Sequence, residues 1–491
     1  MAENNTPEPT LRSGTLGTGD IAFFVVSAAA PLTIMAGIAP FAILSGGIGA
    51  PAGYLFAGLV LAVFAVGFTT MSRHVGNGGA FYAYITKGLG RTAGVASAVL
   101  ALFAYNACQI GMYGLLATSA HDTVQMLWGI DVPWPVYALA GVALVWFAGY
   151  RSIDFGAKVL GVLLVAETGI LLVLAVAVLL KGGAHGLDLQ PFAPAHAFSP
   201  GTGALLAFAF GAFIGFESTA IYRSEARDPK RTIPRATYIA VGFLAVFYAF
   251  VCWVIIEAFG AGQVVEAITA DPTSLFFTAA HDYVGAWAAD AMHILIVSSV
   301  FAALLAFHNA INRYTHALAT EGVLPARLGR IHPRHGSPHT AGLLQTALSA
   351  VVIGAFAAAG ADPYLQLLIW VNTPGVIGIV LLQALAALAV PFFFRRISHR
   401  EGALRTVVAP VASVLLMAGA LYLVISKIAL LTGASASVNT LLIVLVPVVL
   451  AAGAVLGRWL RAARPEVYAR LAADPEEAAG RPDRPAEAAT V

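Results

Sequence analysis

The 491-residue sequence has little charge and almost no cysteine. Only 11% of its residues are Asp, Glu, Lys or Arg, 59% are hydrophobic, and the mean hydropathy is +0.83. A soluble protein of this length carries about twice that share of charge. The two cysteines, Cys108 and Cys252, both fall inside apolar segments, which argues against a disulfide framework or a cysteine metal site. The composition therefore indicates a protein embedded in a membrane.

The polar segments also lack the motifs of several function classes. They contain no phosphate-binding loop and no nucleophile triad, which disfavours an ATP-driven pump and an enzyme. His332, His335 and His339 match no standard zinc spacing, so no metal site is predicted. We expect no cofactor and no nucleic-acid partner. The start of the chain, Met1 to Gly19, has no basic region before an apolar one, so no removable signal peptide is predicted.

Apolar segments long enough to cross a bilayer recur along the whole sequence. A helix of about 20 residues crosses a hydrocarbon core of about 30 Å. Twelve such segments are predicted, at residues 20–45, 51–72, 92–120, 133–150, 157–180, 201–222, 236–258, 285–310, 340–360, 364–394, 406–427 and 437–458. The sequence therefore predicts an all-α polytopic membrane protein with about twelve transmembrane helices.

Lys and Arg are distributed unevenly between the connections of these segments. They follow the second, fourth, sixth, eighth and tenth segments, whereas Lys181 and Lys427 are the only Lys or Arg near the other connections. Because cytoplasmic loops carry the excess of positive charge, both termini are predicted to be cytoplasmic. Residues 1–19 form a polar N-terminal segment, 20–460 a membrane domain, and 461–491 a tail whose Ala, Pro, Glu and Arg content predicts disorder.

Two of the apolar segments contain residues that interrupt helices. The first reads AAAPLTIMAG over residues 28–37, and the sixth reads FGAFIGFE over residues 210–217. A bilayer supplies no water to backbone groups, so irregular backbone at this depth survives only beside protein or a watery cavity. Paired interruptions of this kind are typical of the binding site of secondary transporters. The alternative is a pair of plain kinks caused by Pro31 and the glycines.

Three polar motifs lie on the predicted cytoplasmic side. They read RHVGNGGAFYAY at 73–84, GFE at 215–217 followed by EARDPKRTIPRA at 225–236, and NAINR at 309–313 followed by ALATEGVLP at 317–325. In order and spacing they resemble the motifs of the amino acid–polyamine–organocation permeases, and the resemblance covers about residues 15–460.

This resemblance implies a five-plus-five inverted repeat of the LeuT type. The first repeat would span residues 20–180 and the second 201–394, with two added helices at 406–458. It also implies proton-coupled import of amino acids through the cytoplasmic membrane by alternating access. Neutral substrates are favoured over cationic ones because the expected walls contain few acids. Sodium-coupled or exchange transport of amino acids or polyamines is the alternative, and an amino-acid-binding sensor or channel is the alternative from another class.

The resemblance further implies that main-chain groups at the interruptions hold the substrate. Free N–H groups of half-helices attract its carboxylate, and unwound carbonyls accept from its ammonium. A polar stripe at i, i+3 and i+7 in the third segment either faces the substrate or bonds neighbouring helices. The predicted substrate-binding residues are Ala29, Ala30, Pro31, Thr33, Ala36, Gly37, Asn106, Gln109, Tyr113, Phe210, Phe213, Gly215, Trp370 and Asn372.

Ionisable residues at membrane depth are costly and are candidates for a functional role. Glu217 holds the position of a glutamate that similar permeases are thought to use in proton-coupled gating, although it could instead only bond nearby backbone. Glu167 lies where some proton-driven relatives carry a lysine, and it is a proton carrier, a cation ligand or a neutral acid between helices. Ser298 and Ser299 either form part of a sodium site or bond their own helix.

Overall fold

The computed structural model describes residues 16–76, 80–151 and 157–473. Most of the predicted N-terminal segment, residues 77–79 of the first motif and the last part of the predicted tail lie outside the described residues. Within the described ranges the chain is almost entirely helical, and its only β-type pairing joins Leu16 to Ala226.

The helices of the first half are α1 (Thr18–Ala28), α2 (Pro31–Gly37), α3 (Ala39–Gly46), α4 (Ala50–Ser72), α5 (Ala80–Leu89), α6 (Arg91–Trp128), α7 (Trp134–Tyr150) and α8 (Ala157–Lys181). Those of the second half are α9 (Pro194–Ala197), α10 (Thr202–Gly211), α11 (Pro229–Phe259), α12 (Val264–Ala270), α13 (Leu275–Tyr283), α14 (Ala286–Thr320), α15 (His339–Ala358) and α16 (Ile369–Phe394). The last are α17 (Ala409–Ser426), α18 (Ile428–Thr432), α19 (Ala436–Ala463) and α20 (Pro465–Arg470).

Eleven helical segments of the described chain are long and apolar enough to cross a membrane. The predicted fourth segment corresponds to α7, which has only 17 residues and is therefore shorter than the others. At 1.5 Å per residue it is about 25 Å long, somewhat less than a hydrocarbon core. The all-α polytopic class is confirmed, whereas twelve crossings, the inverted repeat and the cytoplasmic termini stay predictions.

The outer surface of the bundle is apolar and its interior holds the polar groups. Leu59, Val162 and Leu415 are each more than 60% exposed, whereas Glu167 and Glu217 are almost fully buried. Lipid is as apolar as leucine, so large aliphatic side chains can face outward without cost. Polar side chains must instead find partners inside the protein. The buried polar groups therefore indicate the part of the bundle in which a functional site lies.

The longest helix, α6, lies inside the bundle and packs against α14, α16 and α19. Small residues allow these close approaches. A Cβ added at Gly375 of α16 would lie 2.7 Å from the Cys108 sulfur, and one added at Gly453 of α19 would lie 2.7 Å from the Ala96 Cα. Close backbone approach supplies packing energy that lipid-embedded helices cannot obtain from the hydrophobic effect.

The first predicted interruption is confirmed between α1 and α2. Ala30 has the left-handed backbone angles φ 46° and ψ 73°, which residues with a Cβ seldom adopt. Pro31 follows at the first position of α2 and has no N–H with which to continue the helical ladder. A second irregularity occurs at Ile38, just before Pro40 in α3.

The second predicted interruption is confirmed after α10. The amides of Phe213 and Ile214 bond to carbonyls three residues back, and Gly215 has φ 108°. Only glycine adopts this angle without strain. A 3₁₀ helix over Phe216–Ser224 follows, so the regular α-helix does not resume before α11.

The first part of the tail predicted to be disordered, residues 461–473, instead has a defined structure. Helix α19 continues to Ala463, α20 follows, and Leu471 and Ala472 are buried in an apolar cluster with Tyr82 and Leu318. The apolar residues between the charged ones pack this stretch against the bundle. The average composition of the whole tail gave no indication of this packing.

Candidate functional site

A central cavity of about 60 Å³ lies between the two interruptions. One water needs about 10–15 Å³ of such a cavity, so there is room for roughly four to six waters. Its lining residues come from both interruptions, from α3, α6, α10, α14, α16 and α18, and from the turn before α16. They are Ala28, Ala29, Ala30, Thr33, Ile34, Ile38, Phe41, Cys108, Met112, Ala207, Phe208, Gly211, Ala212, Ile214, Ala303, Phe307, Leu368, Ile369, Asn372, Thr373, Val376 and Leu431.

The walls of this central cavity are mostly apolar, and none of the lining side chains that the structure describes is ionisable apart from the Cys108 thiol. The Thr373 hydroxyl donates to the Ile369 carbonyl of its own helix at 2.7 Å. The Asn372 side-chain oxygen is buried and has no hydrogen-bond partner among the described residues. A buried polar atom without a partner is costly, and a bound molecule could satisfy it. Asn372 is therefore the main free polar side chain of the cavity.

Main-chain groups at the first interruption supply further polar contacts. The amides of Leu32 and Thr33 lie in the first turn of α2, where no carbonyl of the same helix can bond them. The Leu32 amide lies beside the Glu167 carboxylate, which comes from α8. The Tyr248 hydroxyl donates to the Ala29 carbonyl at 3.4 Å. The Thr33 amide thus remains as the donor of this turn beside the cavity.

Glu167 belongs to a buried chain of hydrogen bonds that ends at the central cavity. The Ser299 hydroxyl of α14 donates to the Glu167 carboxylate at 2.8 Å. The Ser299 and Thr33 hydroxyls lie 2.7 Å apart, and Thr33 lines the cavity. These side chains therefore connect α8 and α14 to the interrupted helix. The adjacent Ser298 hydroxyl bonds the Leu295 carbonyl of its own helix at 2.9 Å and takes no part.

Glu217 stabilises the second interruption. One carboxylate oxygen accepts a hydrogen bond from the Gly215 amide at 3.0 Å, and the other accepts one from the Tyr105 hydroxyl of α6. The side chain is buried but does not line the central cavity. Its carboxylate thereby satisfies an amide that the broken helix leaves without a carbonyl partner.

Only some of the predicted substrate-binding residues border the central cavity. Ala29, Ala30, Thr33 and Asn372 do. The others lie elsewhere, namely Pro31, Ala36, Gly37, Asn106, Gln109, Tyr113, Phe210, Phe213, Gly215 and Trp370. The first interruption and α16 thus meet at the cavity as predicted. The predicted residues of α6 and α10 do not border it.

The polar stripe of α6 does not line the central cavity. The Asn106 side chain donates to the Leu102 carbonyl of its own helix at 2.7 Å. The Gln109 side chain donates to the Leu304 carbonyl of α14 at 3.2 Å and accepts from Gln345 of α15. The bonds of Gln109 correspond to the interhelix alternative, whereas Asn106 bonds its own helix.

The aromatic residues expected at the cavity also take other positions. Phe213 packs edge-on against Tyr248, with ring centres 6.0 Å apart, and Phe210 borders a separate small space beside α17. The Trp370 indole donates to the Thr432 carbonyl at 3.0 Å. Each aromatic or polar group is therefore already used in packing one helix against another.

Sequence reasoning missed the residues that line the cavity in place of these. Cys108 and Met112 form the part of the cavity wall that α6 supplies, and Ala207, Phe208 and Gly211 form the part that α10 supplies. Their spacing of three or four residues is helical, but their apolar character is shared by every other face of these helices. Because the cavity is apolar, its lining residues are no more polar than residues that face lipid. The sequence therefore contained no signal that distinguishes them.

A model of the amino acid permease family matches residues 16–461 of the chain. An uncharacterized transporter of Mycobacterium tuberculosis is 33% identical over 143 residues, which cover 29% of this chain and 31% of that protein. The branched-chain amino acid permease BcaP of Lactococcus lactis is 25% identical over 333 residues, or 62% of this chain and 67% of that protein. The chain is thus aligned with about a third of the first relative's length and about two thirds of the second's.

The family match extends over nearly the whole membrane domain and includes both interruptions and the central cavity. It points to a transporter instead of an enzyme, and the long apolar helices make the protein a multi-pass component of the cell membrane. The chain therefore belongs to the amino acid permease family of the amino acid–polyamine–organocation superfamily.

Proposed function

We propose that the protein imports neutral, apolar amino acids by proton-coupled alternating access. The observation that carries this proposal is the central cavity, which lies at two broken helices and has apolar walls without a charged side chain among its described lining. Main-chain groups beside Ala30 and Thr33 would bind the charged ends of the substrate, and the apolar wall would bind its side chain.

The apolar wall supports neutral substrates over polyamines and cationic amino acids. A second buried positive charge needs a partner to offset its desolvation. Glu167 and Glu217 are the candidate partners, but the first accepts a hydrogen bond from Ser299, and the second accepts hydrogen bonds from Gly215 and Tyr105. An aliphatic substrate side chain instead needs no such partner, because its transfer from water to an apolar cavity is favourable. The relative named a branched-chain amino acid permease supports the same substrate class.

We assign the coupling proton to Glu167. Its carboxylate is linked to the cavity by hydrogen bonds through Ser299 and Thr33, and it lies beside the Leu32 amide at the start of α2. Protonation turns the carboxylate from an acceptor into a donor and removes a charge beside the interrupted helix. It therefore changes the free energy of conformations in which α2 and α14 separate relative to those in which they stay together. A coupling group needs such a difference, because its proton affinity must differ between the two conformations.

Uptake into proteoliposomes tests the substrate and the driving ion together. One labelled neutral amino acid is accumulated under an inward proton gradient, and unlabelled aliphatic amino acids compete while polyamines and arginine do not. The same vesicles with a sodium gradient and equal pH on both sides show no accumulation. Accumulation driven by sodium alone would replace proton coupling with sodium coupling, and competition by polyamines would contradict the substrate class.

Replacing Glu217 by Gln tests the second carboxylate. We expect Glu217→Gln to lower the maximal uptake rate about fivefold at every pH, because a weakened bond to the Gly215 amide costs about 1 kcal/mol. The pH at which uptake is half-maximal should not move. A pH profile that flattens in Glu217→Gln, but not in the control Glu257→Gln near the C-terminal end of α11, would assign the proton to Glu217 instead.

A further inference from the structure

A second, smaller cavity lies toward the end of α6 and the start of α14, on the predicted outer side. Its volume is about 10 Å³, the space of a single water. Its lining includes Gly37, Asp122, His293 and Tyr364, and it shares none of the described lining residues of the central cavity. Whatever separates the two cavities must move before a solute can pass between them.

Tyr364 is the side chain that joins the walls at this point. Its hydroxyl donates to the Gly37 carbonyl at 2.8 Å, and the residue is only 4% exposed. The Gly37 carbonyl is available because the chain is irregular here. In a continuous helix it would accept from the Phe41 amide, but that amide bonds the Ile38 carbonyl at 3.0 Å. The tyrosine thus satisfies a carbonyl that the irregularity at Ile38 leaves free.

The ring of Tyr364 closes the same boundary by packing. Its centre lies 4.5 Å from that of Phe41, and Phe41 lies 5.8 Å from Phe208 of α10 in a stacked arrangement. Phe41 and Phe208 both line the central cavity. The three aromatic rings therefore form a continuous layer between the central and the outer cavity.

The backbone that carries Tyr364 is fixed from the other side. The Asp362 carboxylate accepts hydrogen bonds from the amides of Tyr364 and Leu365 at 2.8 and 2.5 Å. These bonds hold the first turn before α16, a short π-helical stretch over Pro363–Leu368. Because this turn is held in place, the contact that can break at the boundary is the one between Tyr364 and the α2–α3 junction.

We propose that Tyr364 is the outer gate residue of this permease. While its hydroxyl holds the Gly37 carbonyl, the aromatic layer blocks passage from the outer to the central cavity. Loss of that hydrogen bond lets the α2–α3 junction separate from α16 and opens the path. This inference rests on the proposed transport function, but it concerns access to the cavity and does not depend on which amino acid is carried.

Cys108 offers a native probe for this gate. It lines the central cavity, whereas the other cysteine, Cys252, is fully buried in α11. In a Cys252→Ala background, a charged membrane-impermeant thiol reagent added to intact cells reaches Cys108 only through the outer path. We expect Tyr364→Phe to label about fivefold faster than the parent, since one lost hydrogen bond of about 1 kcal/mol shifts an opening equilibrium by that factor.

The control variant is Tyr283→Phe. The Tyr283 hydroxyl also donates to a backbone carbonyl, that of Ala258 at 2.8 Å, but it lies away from both cavities. Cys108 in the Tyr283→Phe protein should be labelled at the parent rate, and the Cys108→Ala protein should not be labelled. Tyr364→Ala, which also removes the ring, should label faster still. Labelling of both Tyr364 variants at the rate of Tyr283→Phe, with normal expression and melting temperature, would overturn the gate.

A separate arm of the experiment addresses the proposed function. Neutral aliphatic amino acids in the medium should slow the labelling of Cys108 by occupying the central cavity. If they do not, the substrate assignment fails while the comparison between the tyrosine variants still decides the gate.

Discussion

Glu167→Gln is expected to abolish accumulation under a proton gradient while leaving substrate exchange intact. Gln keeps the size and can still bond Ser299, but it has no proton to exchange at neutral pH. A gradient of two pH units is worth about 2.7 kcal/mol per proton, or about 100-fold accumulation. An uncoupled carrier only equilibrates its substrate, so the ratio of inside to outside concentration should fall to about one.

Proteoliposomes with an imposed pH gradient measure this ratio, and exchange of internal for external label at equal pH measures the remaining carrier activity. Ser299→Ala and Ser298→Ala form a matched pair. Only the first hydroxyl bonds Glu167, so only Ser299→Ala should shift the pH dependence of uptake. Glu167→Gln protein that still accumulates substrate at a given proton gradient would remove Glu167 from the coupling mechanism.

Ala303→Leu is expected to exclude the larger substrates from the central cavity. Ala303 is buried on the cavity side of α14, and three added carbon atoms would occupy much of a cavity of about 60 Å³. Overfilling a packed site costs about 1–3 kcal/mol, which corresponds to about fivefold to 150-fold weaker binding. Branched aliphatic amino acids should lose most of their affinity, and alanine or glycine should lose less.

Competition of unlabelled amino acids against one small labelled substrate measures this change in selectivity. Ala306→Leu is the matched control, since Ala306 lies one turn further along α14 and is exposed at the surface of the bundle. It should leave every inhibition constant unchanged. An equal loss of affinity for small and large substrates in Ala303→Leu would indicate a general packing defect and would remove Ala303 from the substrate site.

The class of the protein and the two interruptions could be predicted from the sequence because each depends on local chemistry. Hydropathy along the chain decides which segments a bilayer accepts. Pro31 removes an amide wherever the helix lies, and Gly215 permits a positive φ that other residues avoid. Neither effect needs knowledge of the neighbouring helices.

The partners of buried polar groups could not be predicted in the same way. Gln109 and Cys108 are adjacent in α6, yet one bonds α14 and α15 while the other lines the central cavity. The same holds for Glu167, whose contacts with Ser299 and Leu32 join residues far apart in the chain. The residue types are known from the sequence, but the rotation of each helix about its axis cannot be predicted from it.

The sequence by itself determined that this chain lies in a membrane, where its helices break and which carboxylates are buried at depth. Only the tertiary structure decided which faces of α6 and α10 line the central cavity, which acid reaches it and which tyrosine separates it from the outer cavity. The physical reason is that lipid and cavity walls are both apolar. Helix orientation therefore follows from close packing and a few interhelix hydrogen bonds, which exist only once the helices are assembled.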